Sequence, residues 1–132
     1  MKTHISLQTA DLERSVAFYT TLLDVAPKKH YDDYALFITE EPGLELALNT
    51  AARVAASNDT HYGLAVDSSD AVDAAIARLQ RAGLSVDIEV EETCCYAKQN
   101  KVWASDPDGR RWETYAVLEE VAENEAPSCC ST

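Results

Sequence analysis

His4-Ile5-Ser6-Leu7 and His61-Tyr62-Gly63-Leu64 open two halves of the chain that superimpose at an offset of 57 residues. Held without gaps, that offset sets Leu7 over Leu64, Tyr19 over Ile76 and Leu22 over Leu79. The chain therefore reads as two versions of one strand–helix–strands module.

In the first half, apolar and polar residues alternate over 3–8, the period of a strand. Asp11 is a good N-cap for a helix running to about Asp24, because its side chain accepts from amides left open in the first turn. Leu12, Val16, Tyr19 and Leu22 give this helix an apolar stripe, and Pro27 follows its end. Strand-like runs at 34–39 and 44–49 flank the turn Glu41-Pro42-Gly43. The second half opens with a strand over 61–66. Ser68 or Ser69 caps a helix with the stripe Val72, Ile76 and Leu79, and Gly83 ends it. Strands follow near 86–90, 101–105 and 111–118, with Asp106-Pro107-Asp108-Gly109 as a strong turn.

The halves differ in length. His4 to Gly43 spans 39 residues and His61 to Gly109 spans 48. The nine extra residues fall around 91–100, a polar segment that holds Cys94 and Cys95 and reads as an added loop. The expected fold class is α+β: tandem βαβββ modules, about 1–52 and 58–120, within a single domain over 1–120. Residues 121–132 read as an acidic, mobile tail carrying Cys129-Cys130.

Composition removes several classes of function. Eleven Lys and Arg against 23 Asp and Glu leave a net charge of −12, which repels nucleic-acid phosphates. No stretch approaches the ~18 apolar residues of a membrane span, and Met1-Lys2-Thr3-His4 does not begin a signal peptide. A cytoplasmic protein with a small-molecule partner, without nucleic acid or membrane, is the expectation. The four cysteines form two adjacent pairs, Cys94-Cys95 and Cys129-Cys130. Neighbouring cysteines close almost no loop and stabilise little as disulfides. The flanks of Cys94-Cys95, Glu91-Glu92-Thr93 and Lys98-Gln99-Asn100, are too polar for a comfortable buried pair, so a thiol ligand for something soft is the better reading.

Strand alternation then places the candidate ligands. Ile5 and Leu7 face the helix, which leaves His4 on the far side of its sheet; Leu64 and Val66 leave His61 and Gly63 there in the second half. Arg111, Glu113 and Tyr115 alternate against Trp112, Thr114 and Ala116, so Glu113 can share that helix-free face. If two such sheets join and curve, the face lines a cleft. Two His and one Glu form the ligand type of open Fe(II) sites. The first-half counterpart of Glu113, four residues after the turn glycine, is Ala47, so no fourth ligand comes from that position. Simpler roles exist for each residue. His30, in a Lys-rich turn, is read as structural or solvent-facing, and Glu113 could pair with Arg110 or Arg111 at the surface.

The tandem plan, His4 and His61 opening the halves, and Glu113 after Asp106-Pro107-Asp108-Gly109 resemble the vicinal oxygen chelate superfamily, which includes glyoxalases and extradiol dioxygenases. The segment Thr93-Cys94-Cys95-Tyr96-Ala97, followed by Lys101-Val102-Trp103 and Arg110-Arg111-Trp112-Glu113, is similar to the organoarsenical carbon–arsenic lyases and the related cadmium-induced proteins. The resemblance covers about residues 1–120 and implies a cup-shaped mixed sheet. It also implies cleavage of trivalent organoarsenicals such as methylarsonite, using Fe(II) and O2, by a monomer or homodimer. Carried over, His4, His61 and Glu113 would hold the iron as catalytic residues, and Cys94 and Cys95 would bind the arsenic. Alternatives are a Cd(II) or arsenite binder that acts through its thiols, a glyoxalase-like isomerase with four protein ligands, and a metal-free drug-binding protein.

Overall fold

The computed structural model describes residues 1–55, 60–94 and 97–120, with the side chains of all but 91–94, 97, 119 and 120. The elements are β1 (Thr3–Thr9), α1 (Leu12–Leu23), β2 (Lys29–His30), β3 (Tyr34–Thr39) and β4 (Leu44–Thr50), then β5 (His61–Ala65), α2 (Ser69–Arg81), β6 (Asp87–Cys94), β7 (Ala97–Ser105) and β8 (Arg111–Glu120). They fall into two compact units, one of residues 1–55 with 106–109 and the other of the remaining described residues. Each unit is a βαβββ module with one four-stranded mixed sheet, ordered β1-β4-β3-β2 in the first and β5-β8-β7-β6 in the second. The fold is α+β, as the repeat implies. Among the described residues no helix is long and apolar enough to cross a membrane.

In the first unit β1 runs parallel to β4, a pairing that needs a crossover, and α1 supplies it. Asp11 caps α1 by accepting from the Arg14 amide at 3.2 Å. The helix buries Leu12, Val16, Tyr19 and Leu22, the expected stripe, and adds Ser15 and Phe18. Phe37, Leu46 and Leu48, from β3 and β4, are fully buried in the same unit.

The turn 106–109 belongs to this first unit rather than to the strands that flank it. The reason lies in α1, which buries two hydroxyls that need partners. The Tyr19 hydroxyl donates to Asp106 Oδ2 at 2.6 Å. Ser15 donates to Asp108 Oδ2 at 3.4 Å, and the Ala10 amide donates to Asp108 Oδ1 at 3.0 Å. Gly109, at φ 89°, closes the turn by donating its amide to the Asp106 carbonyl at 3.0 Å. A buried hydrogen bond to a charged group contributes about 1.5–3 kcal/mol. Tyr19→Phe is therefore expected to lower the stability of the protein by about that amount, read as a reduced urea midpoint with an unchanged slope.

In the second unit Ser68, the first of the two expected caps, accepts from the Ala71 amide at 3.2 Å and starts α2. Its end is a Schellman motif. Gly83, at φ 79°, donates to the Gln80 carbonyl at 3.0 Å, and Leu84 donates to the Leu79 carbonyl at 3.2 Å. Val72, Ala75 and Leu79 are the buried positions of α2.

One sequence expectation is corrected here. The described part of segment 91–100 is not a loop: β6 and β7 continue through it, with Glu92 opposite Gln99, Thr93 opposite Lys98 and Cys94 opposite Ala97. Polarity suggested a loop, but antiparallel pairing satisfies the backbone of a polar hairpin equally well. His30 lies in the short strand β2, opposite Ala35, and its Nε2 meets the Glu13 carboxylate at 3.1 Å.

Candidate active site

The second unit brings together two of the three expected iron ligands. β5 and β8 run parallel, with His61 opposite Arg111 and Gly63 opposite Glu113. β7 lies on the other side of β8, with Trp103 opposite Glu113 and Lys101 opposite Tyr115. Alternation puts all seven of these residues on one face. The other face carries Leu64, Val102, Ala104 and Trp112, all buried, and meets α2, where Asn100 Nδ2 donates to Ser69 Oγ at 3.0 Å. The face bearing His61 and Glu113 is thus the helix-free one.

On that face His61 Nε2 stands 3.9 Å from Glu113 Oε1. The Glu113 side chain is only 11% exposed. Its second oxygen, Oε2, accepts from Lys101 Nζ at 3.2 Å, and Lys101 is 1% exposed. Gly63 makes room for this carboxylate. A Cβ there would stand 3.2 Å from Glu113 Cγ and from Tyr115 Cε1, and 3.3 Å from Glu113 Oε1. Trp103 braces the group: the His61 ring meets it edge-on at 5.2 Å, and the Arg111 guanidinium lies 4.3 Å over it. Arg111 also faces Asp87 at 3.8 Å. Lys101 is an ion-pair partner of Glu113 that sequence proximity does not suggest.

His4 belongs to the first unit. It is exposed on β1, opposite Glu45 of β4, and its Nδ1 meets Glu45 Oε1 at 3.2 Å. An ionised carboxylate only accepts, so Nδ1 is the donor in this contact and Nε2 points elsewhere. Ala47, two residues beyond Glu45 on the same face, is buried and paired with Ser6. Within either unit taken by itself, no group of three or more His, Cys, Asp or Glu stands ready for a metal among the described residues.

The donor chemistry of the second unit fits a metal. Two ligands of one ion, each about 2.1 Å from it, lie about 3–3.5 Å apart. The 3.9 Å between His61 Nε2 and Glu113 Oε1 is slightly above that range. One nitrogen and one carboxylate oxygen suit Fe(II) as well as neighbouring divalent ions.

The thiols are placed less closely. The backbone of Cys94 ends β6, opposite Ala97. Cys95, Tyr96 and the Cys129-Cys130 pair lie outside the described residues. Ala97 and Trp103 are six residues apart on β7, about 20 Å along an extended strand. The pairing register shifts between Glu89 and Glu92 and again between Lys98 and Gln99, and such irregularities bend the strands that carry them.

Lys101 and Glu45 escape a reading based on motifs. The parity of β7, with Gln99, Lys101 and Trp103 against Asn100, Val102 and Ala104, was the available signal for Lys101. For Glu45 the signal was its parity with Ala47.

Residues 3–114 match the Glyoxalase/Bleomycin resistance protein/Dioxygenase superfamily, and the chain belongs to that family. Within it, the chain is 41% identical over 130 residues to a trivalent organoarsenical cleaving enzyme of Bacillus sp. (strain MD1), covering 96% of this chain and 81% of that one. It is 36% identical over 133 residues to the protein of the same name from Thermomonospora curvata, covering 98% and 88%. It is 36% identical over 141 residues to the cadmium-induced protein CadI of Mycobacterium tuberculosis, covering 98% and 92%. Among solved structures, a glyoxalase/bleomycin resistance protein/dioxygenase from Alicyclobacillus acidocaldarius shares the fold, with TM-score 0.69 and 16% identity over 90% of this chain and 92% of that one.

Proposed function

We propose that the protein cleaves the carbon–arsenic bond of trivalent organoarsenicals in the cytoplasm, using Fe(II) and O2, and so confers resistance to them. The reading is supported by the convergence of His61 and Glu113 on the helix-free face of a sheet whose strand β6 ends at Cys94, the residue before Cys95 in the sequence, in a chain 41% identical to a trivalent organoarsenical cleaving enzyme. His4, His61 and Glu113 hold the iron in this reading. Bound Fe(II) supplies the one-electron chemistry through which O2 reacts with a spin-paired substrate.

The remaining roles fall to the chain. Trivalent arsenic is soft, and thiolates are soft ligands. Methylarsonite carries two exchangeable hydroxyls, and Cys94 and Cys95 replace both, releasing two waters and leaving the methyl group on arsenic. The overall conversion, CH3As(OH)2 + O2 → As(OH)3 + HCHO, balances with no further reductant. Glu45 keeps the lone pair of His4 on Nε2, and Trp103 limits the swing of the His61 ring. The register shifts in β6 and β7 supply places where these strands can bend.

A second reading, a stoichiometric soft-metal binder, draws on the likeness to a cadmium-induced protein and on the second cysteine pair. Arsenic speciation after incubating Fe(II)-loaded protein with methylarsonite, with and without oxygen, separates the two. Many arsenites released per chain, only with both Fe(II) and O2, is the expected result. Methylarsonite recovered unchanged, one per chain and held by thiols, would sink the enzyme reading and favour the binder.

A further inference from the structure

Lys101 is a buried cation that the expected ligand set does not use. A lysine ammonium taken out of water is unfavourable unless it is paired, and this one is 1% exposed. It lies 5.6 Å from the Trp103 ring centre and 5.9 Å from that of Tyr115, and donates to Glu113 Oε2 at 3.2 Å. The two oxygens of Glu113 therefore have different neighbours: Oε2 faces Lys101, and Oε1 faces His61 Nε2 at 3.9 Å. Gly63 leaves no side chain to push the carboxylate out of this orientation.

We infer that Lys101 is a positioning residue that holds Glu113 Oε2 and so restricts the carboxylate to ligation through Oε1 alone. The inference rests on the reading of Glu113 as a metal ligand. Its chemical consequence concerns the number of open positions. A carboxylate with both oxygens available can occupy two positions on an octahedral ion, and one with a captive oxygen occupies one. A one-oxygen Glu113 therefore leaves one more position open than a two-oxygen one. The aromatic walls of Trp103 and Tyr115 serve the same end, because they fix where the ammonium sits without competing for it as hydrogen-bond acceptors.

The test uses Co(II) alone as the probe and the full chain. Titration gives stoichiometry, and metal-induced difference infrared spectra of 13C-glutamate-labelled protein give the binding mode. One-oxygen ligation widens the separation of the two carboxylate stretches relative to the free carboxylate, and two-oxygen ligation narrows it. The parent chain is expected to bind one Co(II) with the wide separation. Lys101→Met, close in shape but without a donor, is expected to shift to the narrow one, and Lys101→Arg to restore the wide one. A narrow separation in the parent chain would overturn the inference without reference to any variant, so a poorly folding Lys101→Met leaves the test intact. A wide separation in a folded Lys101→Met would overturn it as well. Failure of the parent chain to bind Co(II) would instead remove the metal reading, and this inference with it.

Discussion

Glu113→Gln (E113Q) is expected to release arsenite from methylarsonite more than about 100-fold more slowly than the parent chain, exceeding the about 10–100-fold typical of an outer-shell change. Gln has nearly the shape of Glu, so the space left by Gly63 and the edge of Trp103 stay filled as before. What changes is charge. A neutral amide is a weak ligand for a hard divalent ion, and Lys101 is left buried without its carboxylate. Removing one partner of a buried ion pair costs about 3–5 kcal/mol, so E113Q is also expected to unfold at lower urea concentration in the absence of metal. Turnover is measured well below the unfolding transition, where circular dichroism shows the variant folded. Arsenite release within about threefold of the parent would remove Glu113 from the machinery, since losing even an outer-shell partner has a larger effect.

Cys94→Ser and His4→Ala are expected to fail in opposite ways. Cys94→Ser leaves one thiolate of the Cys94-Cys95 pair, so methylarsonite loses its second anchor there and binds about 100-fold more weakly or worse, while iron stoichiometry stays at that of the parent. His4→Ala keeps the arsenical and loses iron affinity. Neither is expected to turn over at a useful rate. Methylarsonite retained through gel filtration and iron measured with a colorimetric chelator read the two losses separately. Full turnover by Cys94→Ser would show the substrate assignment to be wrong. Loss of both ligands in both variants would mean that the thiols and the imidazole belong to one interdependent centre, contrary to the division of roles proposed above.

Much of the frame behind these predictions is local and therefore legible in the residues. Asp11 and Ser68 announce helix starts because a side-chain oxygen three residues upstream satisfies an amide, a rule that involves only neighbours. Gly83 announces a helix end through its own left-handed backbone. The alternation in β5 and β8 separates His61 and Glu113 from Leu64 and Trp112, because successive side chains of a strand point to opposite faces whatever lies beyond it. The pairing of β6 with β7 is not legible in the sequence, for a complementary reason. Polar side chains say nothing about whether the backbone beneath them has found a partner strand.

From its sequence alone, then, the chain determines a repeated βαβββ plan and the face on which each candidate ligand stands. Tertiary structure decides who stands beside whom. Parity puts Lys101 and Glu113 on one face, but only the register of β7 against β8 sets the ammonium on Oε2 and leaves Oε1 toward His61. In the same way, only the pairing of β1 with β4 brings Glu45 to His4, and the buried hydroxyls of α1, with the Ala10 amide, draw the turn 106–109 into the first unit. These contacts join residues far apart in the chain, 12 positions for Lys101 and Glu113 and 87 for Tyr19 and Asp106. Local periodicity carries no information about such partners, because they are selected by packing and by the need of each buried polar group for a mate.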